Sequence, residues 1–295
     1  MPKPTDKERV GQWEKRLAAA TAETQDWENE FSCDMLEDFY YGRQHKGEDG
    51  EWDQRKYVIN LFYPSINISK PSMLFALPKY KVSPRITRID DPMSDSEARA
   101  KLQEETLNTF VGAPQLGFDV EAGLAILDAQ FRFGVVQVGY TADYGDNPNA
   151  GRPILKDGEA MMDGDNEPVV EPKINLTNEG LFYKWISAKN WRVGVGSGNR
   201  TSTIDWCGYY DYLHVEDIQR NPRYKNTSNL KGSAKLRAHK DEAADGDERK
   251  AGLMKVWFIW DMRARKRYVF GAGLEKFFLE ESFSFLPFAA LKFDE

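Results

Sequence analysis

The residues able to do chemistry are few and scattered. The chain holds two cysteines, Cys33 and Cys207, and three histidines, His45, His214 and His239. These are too few for a cysteine zinc site or a histidine-rich metal centre. Cys33 falls on an apolar helical pattern and Cys207 within an aromatic strand pattern, so both read as small core residues. No HExxH or GxSxG motif occurs, and the Gly-Lys dipeptide of a P-loop is absent throughout. RVGVGSGN imitates a dinucleotide loop through Gly194, Gly196 and Gly198, but no third spaced glycine or capped helix follows, so it reads as a surface turn. Asp163, Asp165 and Glu167 imitate a calcium loop that Pro168 interrupts. No catalytic residue, cofactor site or metal site is assigned. Weak acidic pairs such as Asp143 with Asp146, or Asp163 with Asp165, are what a metal-dependent DNA-processing enzyme would have to use.

Charge is more informative. The 295 residues carry 40 Lys/Arg against 47 Asp/Glu, a net charge of −7, yet residues 215–275 hold 14 basic against 9 acidic. Lys231, Lys235, Arg237 and Lys240 cluster there, and Arg263, Arg265, Lys266 and Arg267 crowd one turn. A solvated loop and an exposed turn explain this as well as a basic surface for DNA phosphates or an acidic partner does. An acidic protein with a local basic patch suits DNA that slides past better than DNA that is gripped. Aromatic residues make up 13% of the chain, which favours large packed interfaces. No run of about 18 apolar residues exists, so no membrane span is expected, and MPKPTDKERV has no signal-peptide character.

The elements expected to position these residues form an α+β fold. Residues 5–42 read as one long helix or two joined ones, opened by a Thr5/Glu8 capping box. Trp13, Leu17, Thr24, Trp27, Phe31, Met35, Leu36, Phe39 and Tyr40 form its apolar stripe, with Trp27 expected to be buried in it. Pro64, Pro71 and Pro78 break the next apolar segment into short helical pieces that end in an extended arm near residues 80–86. Ser94 and Glu97 open a helix lined by Ala98, Leu102 and Phe110. Asp119 caps another that carries Val120, Leu124, Leu127 and Phe131. Strands are expected from FGVVQVGYTADY, LFYKWISA and IDWCGYYDYLH, with an Asp157-Gly158 hairpin turn between the first two. A short helix at 215–220 stops before Pro222. The charged stretch 225–250 reads as a linker, exposed helix or loop, and 255–285 returns to strands around a turn at 261–266.

The order of segments resembles the portal proteins of tailed bacteriophages, the head-to-tail connectors. The resemblance rests on the Trp-rich helix ending DFYYGRQ, on VINLFYPSINISKPSMLFALPKYKVSPR, and on EGLFYKWISAKNWRVGVGSGNRTSTIDWCGYYDYLHVEDIQRNP. It is completed by KVWFIWDMRARKRYVFGAGLEKFFLEESFSFLPFAALKFDE. It implies a portal-like subunit with long N-terminal helices, a mixed helical and β wing over 1–215, a stem-like or linker region over 216–250, and a β-rich clip over 251–295. The family's second stem helix, tunnel loop and crown have no counterpart in this sequence. It also implies a homo-oligomeric ring, usually a dodecamer, at a capsid vertex of the virion, made in the host bacterial cytoplasm. Terminase, head-tail adaptors, and capsid and scaffold proteins would be its partners, and double-stranded DNA would pass non-specifically through its channel. Lys231, Lys235, Arg237, Arg263, Arg265, Lys266 and Arg267 are the candidate partner- or DNA-facing residues. Another virion structural protein, such as a head-tail adaptor or capsid component, is the alternative reading, ahead of the DNA-processing enzyme.

Overall fold

The computed structural model describes residues 4–45, 59–74, 76–84, 93–156, 159–162, 168–172, 174–196, 204–228, 230–232 and 252–292. Asp157, Gly158, Asp163, Asp165, Glu167, Gly198, Lys235, Arg237 and Lys240 lie outside them, and the side chains of Asp143 and Asp146 are likewise not described. The fold is α+β, as expected. It divides into two compact units, Met1–Phe75 with Ala122–Val136 and Trp185–Glu295, and Ala76–Glu121 with Gln137–Lys184. This division cuts across the serial boundaries at 215 and 250.

In the first unit, helix α1 (Asp6–Glu30) starts at Thr5, whose hydroxyl accepts from the Glu8 backbone while the Glu8 carboxylate accepts from the Thr5 backbone. The expected capping box is present. Ser32, at φ 51, breaks the helical run, and α2 (Cys33–Tyr40) follows. Gly42 closes this pair at φ 70, a conformation that only glycine adopts without strain. Helix α3 (Phe62–Met73) is one continuous piece, which corrects the expected breaks at Pro64 and Pro71. Pro64 sits in the first turn, where its missing N–H costs no helical bond, and Pro71 falls within the last turn. Extended chain then follows at 77–84, as expected.

The second unit contains α4 (Met93–Gly112). Its expected lining is corrected: Leu102 is 64% exposed, and Ala100 and Val111 are the buried residues. The polar face does the binding. Asn108 accepts from the Tyr80 amide at 2.8 Å and donates to the Tyr80 carbonyl at 3.0 Å, and Glu104 accepts from the Val82 amide at 3.0 Å. Side chains of α4 thus supply the hydrogen bonds that a neighbouring strand would give the extended arm.

Helix α5 (Phe118–Phe131) passes from one unit to the other and leads into β1 (Gly134–Asp146). A Cβ on Gly134 would lie 2.1 Å from the Ala125 carbonyl oxygen, so only glycine lets this strand pass the helix. The short strands β2 (Leu155–Lys156) and β3 (Glu159–Ala160) pair antiparallel on either side of the expected 157–158 turn. β4 (Ile174–Ile186) lies beside β1 in a three-stranded sheet completed by β10 (Phe288–Leu291).

The core of the first unit is an antiparallel sheet ordered β5 (Trp191–Val193), β6 (Trp206–His214), β7 (Leu253–Asp261), β8 (Lys266–Gly271) and β9 (Leu279–Ser282). Helix α6 (Val215–Arg220) follows β6 and stops before Pro222, as expected. β7 is central, so its run VWFIW is apolar on both faces. Cys207, Tyr209, Val256, Phe258, Trp260 and Val269 point to one core, with Val135, Ile186 and Ile218. Trp206, Trp257, Ile259, Tyr268 and Phe270 point to the other, where Val10, Trp13, Leu17 and Ala20 of α1 dock. Trp13 meets Trp206 edge-on at 5.6 Å and Tyr268 at 5.6 Å. Both cysteines are fully buried, and burial pushes the Cys207 thiol up to about 12, which makes it an inert core residue.

Candidate partner interface

The crowded turn forms as the sequence suggests. Asp261 pairs with Lys266 at the end of the β7–β8 hairpin, and residues 262–265 make the turn. The Asp261 carboxylate accepts from the Arg263 and Ala264 amides, both at 3.0 Å, and Arg265 takes φ 53. This local geometry brings Arg263, Arg265, Lys266 and Arg267 to one end of the sheet.

Most of that positive charge is internally matched. The Arg263 guanidinium donates through two nitrogens to Asp205. Lys266 and Arg9 share Glu280, while Arg267 and Arg223 share Glu281. Burial would raise the Glu280 carboxyl, but hydrogen bonds from Lys266 and Arg9 hold it below the usual carboxylate range. Arg265 is exposed and has no ion partner among the described residues. Exposed pairs such as Arg263–Asp205 contribute about 0–1 kcal/mol each, so an acidic partner can exchange with them at little cost. Beside the turn lies a cleft of about 640 Å³ lined in part by Lys15, Arg16, Asp205, Asp261 and Arg263.

Lys231 is exposed but sits elsewhere. Its neighbour Gly232 abuts Gly252, at the start of β7, whereas the turn follows the last residue of β7. Nine strand residues span about 30 Å, so Lys231 and the turn arginines do not form one surface. Lys235 and Arg237 lie outside the described residues.

Two features were not foreseen. The first is Arg132, whose side chain is only 4% exposed and bonds Glu28 at 2.7 Å, Asp34 at 2.6 Å and Glu37 at 3.1 Å. Lys189 adds a second cation to Glu37 at 2.7 Å. Nearby, Asp128 accepts from the Trp185 indole and the Ala188 amide, both at 3.0 Å, yet burial raises its carboxyl above the usual range. This cluster fixes the α1–α2 bend against α5.

The second is the apolar surface of α2 and α3. Phe31, Met35, Phe39 and Tyr41 are between 41% and 55% exposed, and Ile59, Leu61, Tyr63 and Ile68 between 51% and 73%. Trp27, expected in the buried stripe, is only half-buried and lines a cleft of about 220 Å³ with Trp191 and Phe288. In α3, Ile66 is the one buried side chain among those described, and Ser65 and Ser72 turn their hydroxyls back to their own helix.

Among the described residues no group of His, Cys, Asp or Glu could hold a metal ion, and no helix is long and apolar enough to cross a membrane. What the arrangement offers is binding, through an apolar helical face and a charged hairpin end. No protein-family model matches the chain, and no curated protein is significantly similar to it.

Proposed function

We propose that this chain is a subunit of a ring-shaped portal at a phage capsid vertex, through which viral DNA is packed and released, with terminase and head-tail adaptors docking on the ring. The observation that carries this reading is the exposed apolar face of α2 and α3. Ten large apolar residues on these helices and the segments beside them (Phe31, Met35, Phe39, Tyr41, Ile59, Leu61, Phe62, Tyr63, Ile68 and Met73) are on average about half exposed. At roughly 200 Å² per side chain they present on the order of 1,000 Å² of apolar surface. Met35 and Phe39 stand four residues apart on α2, so they share one helical side, and each partner in a stable interface buries roughly 800 Å². A helix of 12 residues with Pro71 inside it is not stable in water on its own. A second copy of the chain is the occupant that a closed ring provides. The net charge of −7 suits a wall that does not retain DNA.

Electron microscopy of the purified protein tests the reading. Annular particles with an axial hole wide enough for a duplex are expected. Compact particles without a hole would favour an adaptor or capsid component.

A further inference from the structure

Six cations described above, Arg9, Arg132, Arg223, Arg263, Lys266 and Arg267, each meet a carboxylate. Two half-buried ones do not. Arg192 on β5 and Lys255 on β7 share the sheet face that carries Tyr210 and Trp257, because Arg192 pairs with Gly208, Tyr210 with Trp257 and Tyr212 with Lys255. The Lys255 ammonium stands 3.7 Å from the Tyr210 ring centre and 4.9 Å from that of Trp257. Arg192 spends its donors on neutral oxygens: the Thr21 hydroxyl at 3.1 Å and the carbonyls of Lys189 and Trp191 at 2.9 and 2.6 Å. Neither cation forms an ion pair among the described residues. The acidic group that acts on Arg192, Glu28, is already bonded to Arg132.

We propose that Arg192 and Lys255, flanking Tyr210, form a binding site for a carboxylate-bearing segment of a partner protein. These two like charges on one sheet face, with Lys255 over the Tyr210 and Trp257 rings, lack the anion that would offset their desolvation. Burial accordingly lowers both groups below their usual ranges, and for Lys255 the charge of Arg192 adds to the effect. Carboxylates of an acidic segment laid across Tyr210 would form charge-assisted hydrogen bonds with each cation. Tyr212, 46% exposed and 6.0 Å from Tyr210 at a steep ring angle, offers apolar contact to a residue of that segment.

Nucleic acid is the poorer match. Two cations neutralise only about two phosphates, too few to hold a duplex at physiological salt. This inference is independent of the ring reading.

The test is binding of a short poly-glutamate peptide and of a DNA duplex to the full chain, followed by Trp fluorescence, for wild type, Lys255→Met and Lys255→Arg. Methionine keeps the apolar stem over the rings but removes the charge. Poly-glutamate is expected to bind wild type and Lys255→Arg, and to bind Lys255→Met at least about tenfold more weakly. The melting temperature of Lys255→Met should be unchanged or raised, because repulsion from Arg192 is relieved. Failure of wild type to bind poly-glutamate, equal binding by Lys255→Met, or preference for the duplex would each overturn the proposal.

Discussion

The first half of α1 and the α2–α3 pair are built from the same kinds of residue and meet opposite fates. Val10, Trp13, Leu17 and Ala20 follow helical spacing and vanish into the sheet, each no more than 5% exposed. Met35 and Phe39, also one helical turn apart, remain 53% and 41% exposed. Helical periodicity therefore identifies a face that needs a partner without saying whether the chain itself supplies it. In α1 the partner is the wall of Trp206, Trp257 and Tyr268. For α2 and α3 the described residues supply the small cluster of Tyr40, Ile66 and Phe131, with Leu36 and Leu127 against it.

This contrast can be broken by mutation. The largest effect is expected at Trp13→Ala, which removes two ring contacts from a closed core and should cost about 3–5 kcal/mol, read by denaturant unfolding. Arg132→Met should cost about 3 kcal/mol, because it leaves Glu28 partly buried without its cation and Glu37 with Lys189 alone. Trp27→Ala, at a half-buried site that opens to a cleft, should cost about 1–2 kcal/mol, well under the loss expected had the stripe been buried throughout. Leu61→Ser or Ile68→Ser should shift monomer stability by no more than about 0.5 kcal/mol while weakening self-association. A loss of several kcal/mol at Ile68 would mean that α3 belongs to the core after all.

A pH test sharpens the account of the α1–α2 bend. The Asp128 carboxyl is raised in the folded state, so its favourable contribution is complete below the ordinary aspartate range near 3.8. It fades as pH rises through the raised value. Stability of wild type relative to Asp128→Asn should therefore fall as pH climbs through that window and level off above it. A difference independent of pH would show that the Asp128 carboxyl titrates normally.

Much of the fold was legible because its signals are local. The Thr5/Glu8 box, the hairpin turn at 261–266, the stop of α6 before Pro222 and the burial of both cysteines are each set by a few adjacent residues. What was not legible depends on distant pairing. Arg132 reaches carboxylates about a hundred positions away, and nothing near it in sequence distinguishes it from a surface arginine. The basic turn was visible, but its neutralisation by Asp205, Glu280 and Glu281 comes from strands brought alongside only by the sheet. In α4 the apolar Leu102 points outward while Glu104 and Asn108 bind the arm, a reversal that hydropathy cannot signal because the arm's backbone needs polar partners.

The most direct test of the central claim is the native mass of the purified chain across a concentration series, beside a Leu61→Glu/Ile68→Glu variant. A closed multimer that the double substitution reduces to a folded monomer with unchanged melting is the result predicted here. A wild-type chain that stays monomeric at every concentration, with α2 and α3 bare, would contradict it.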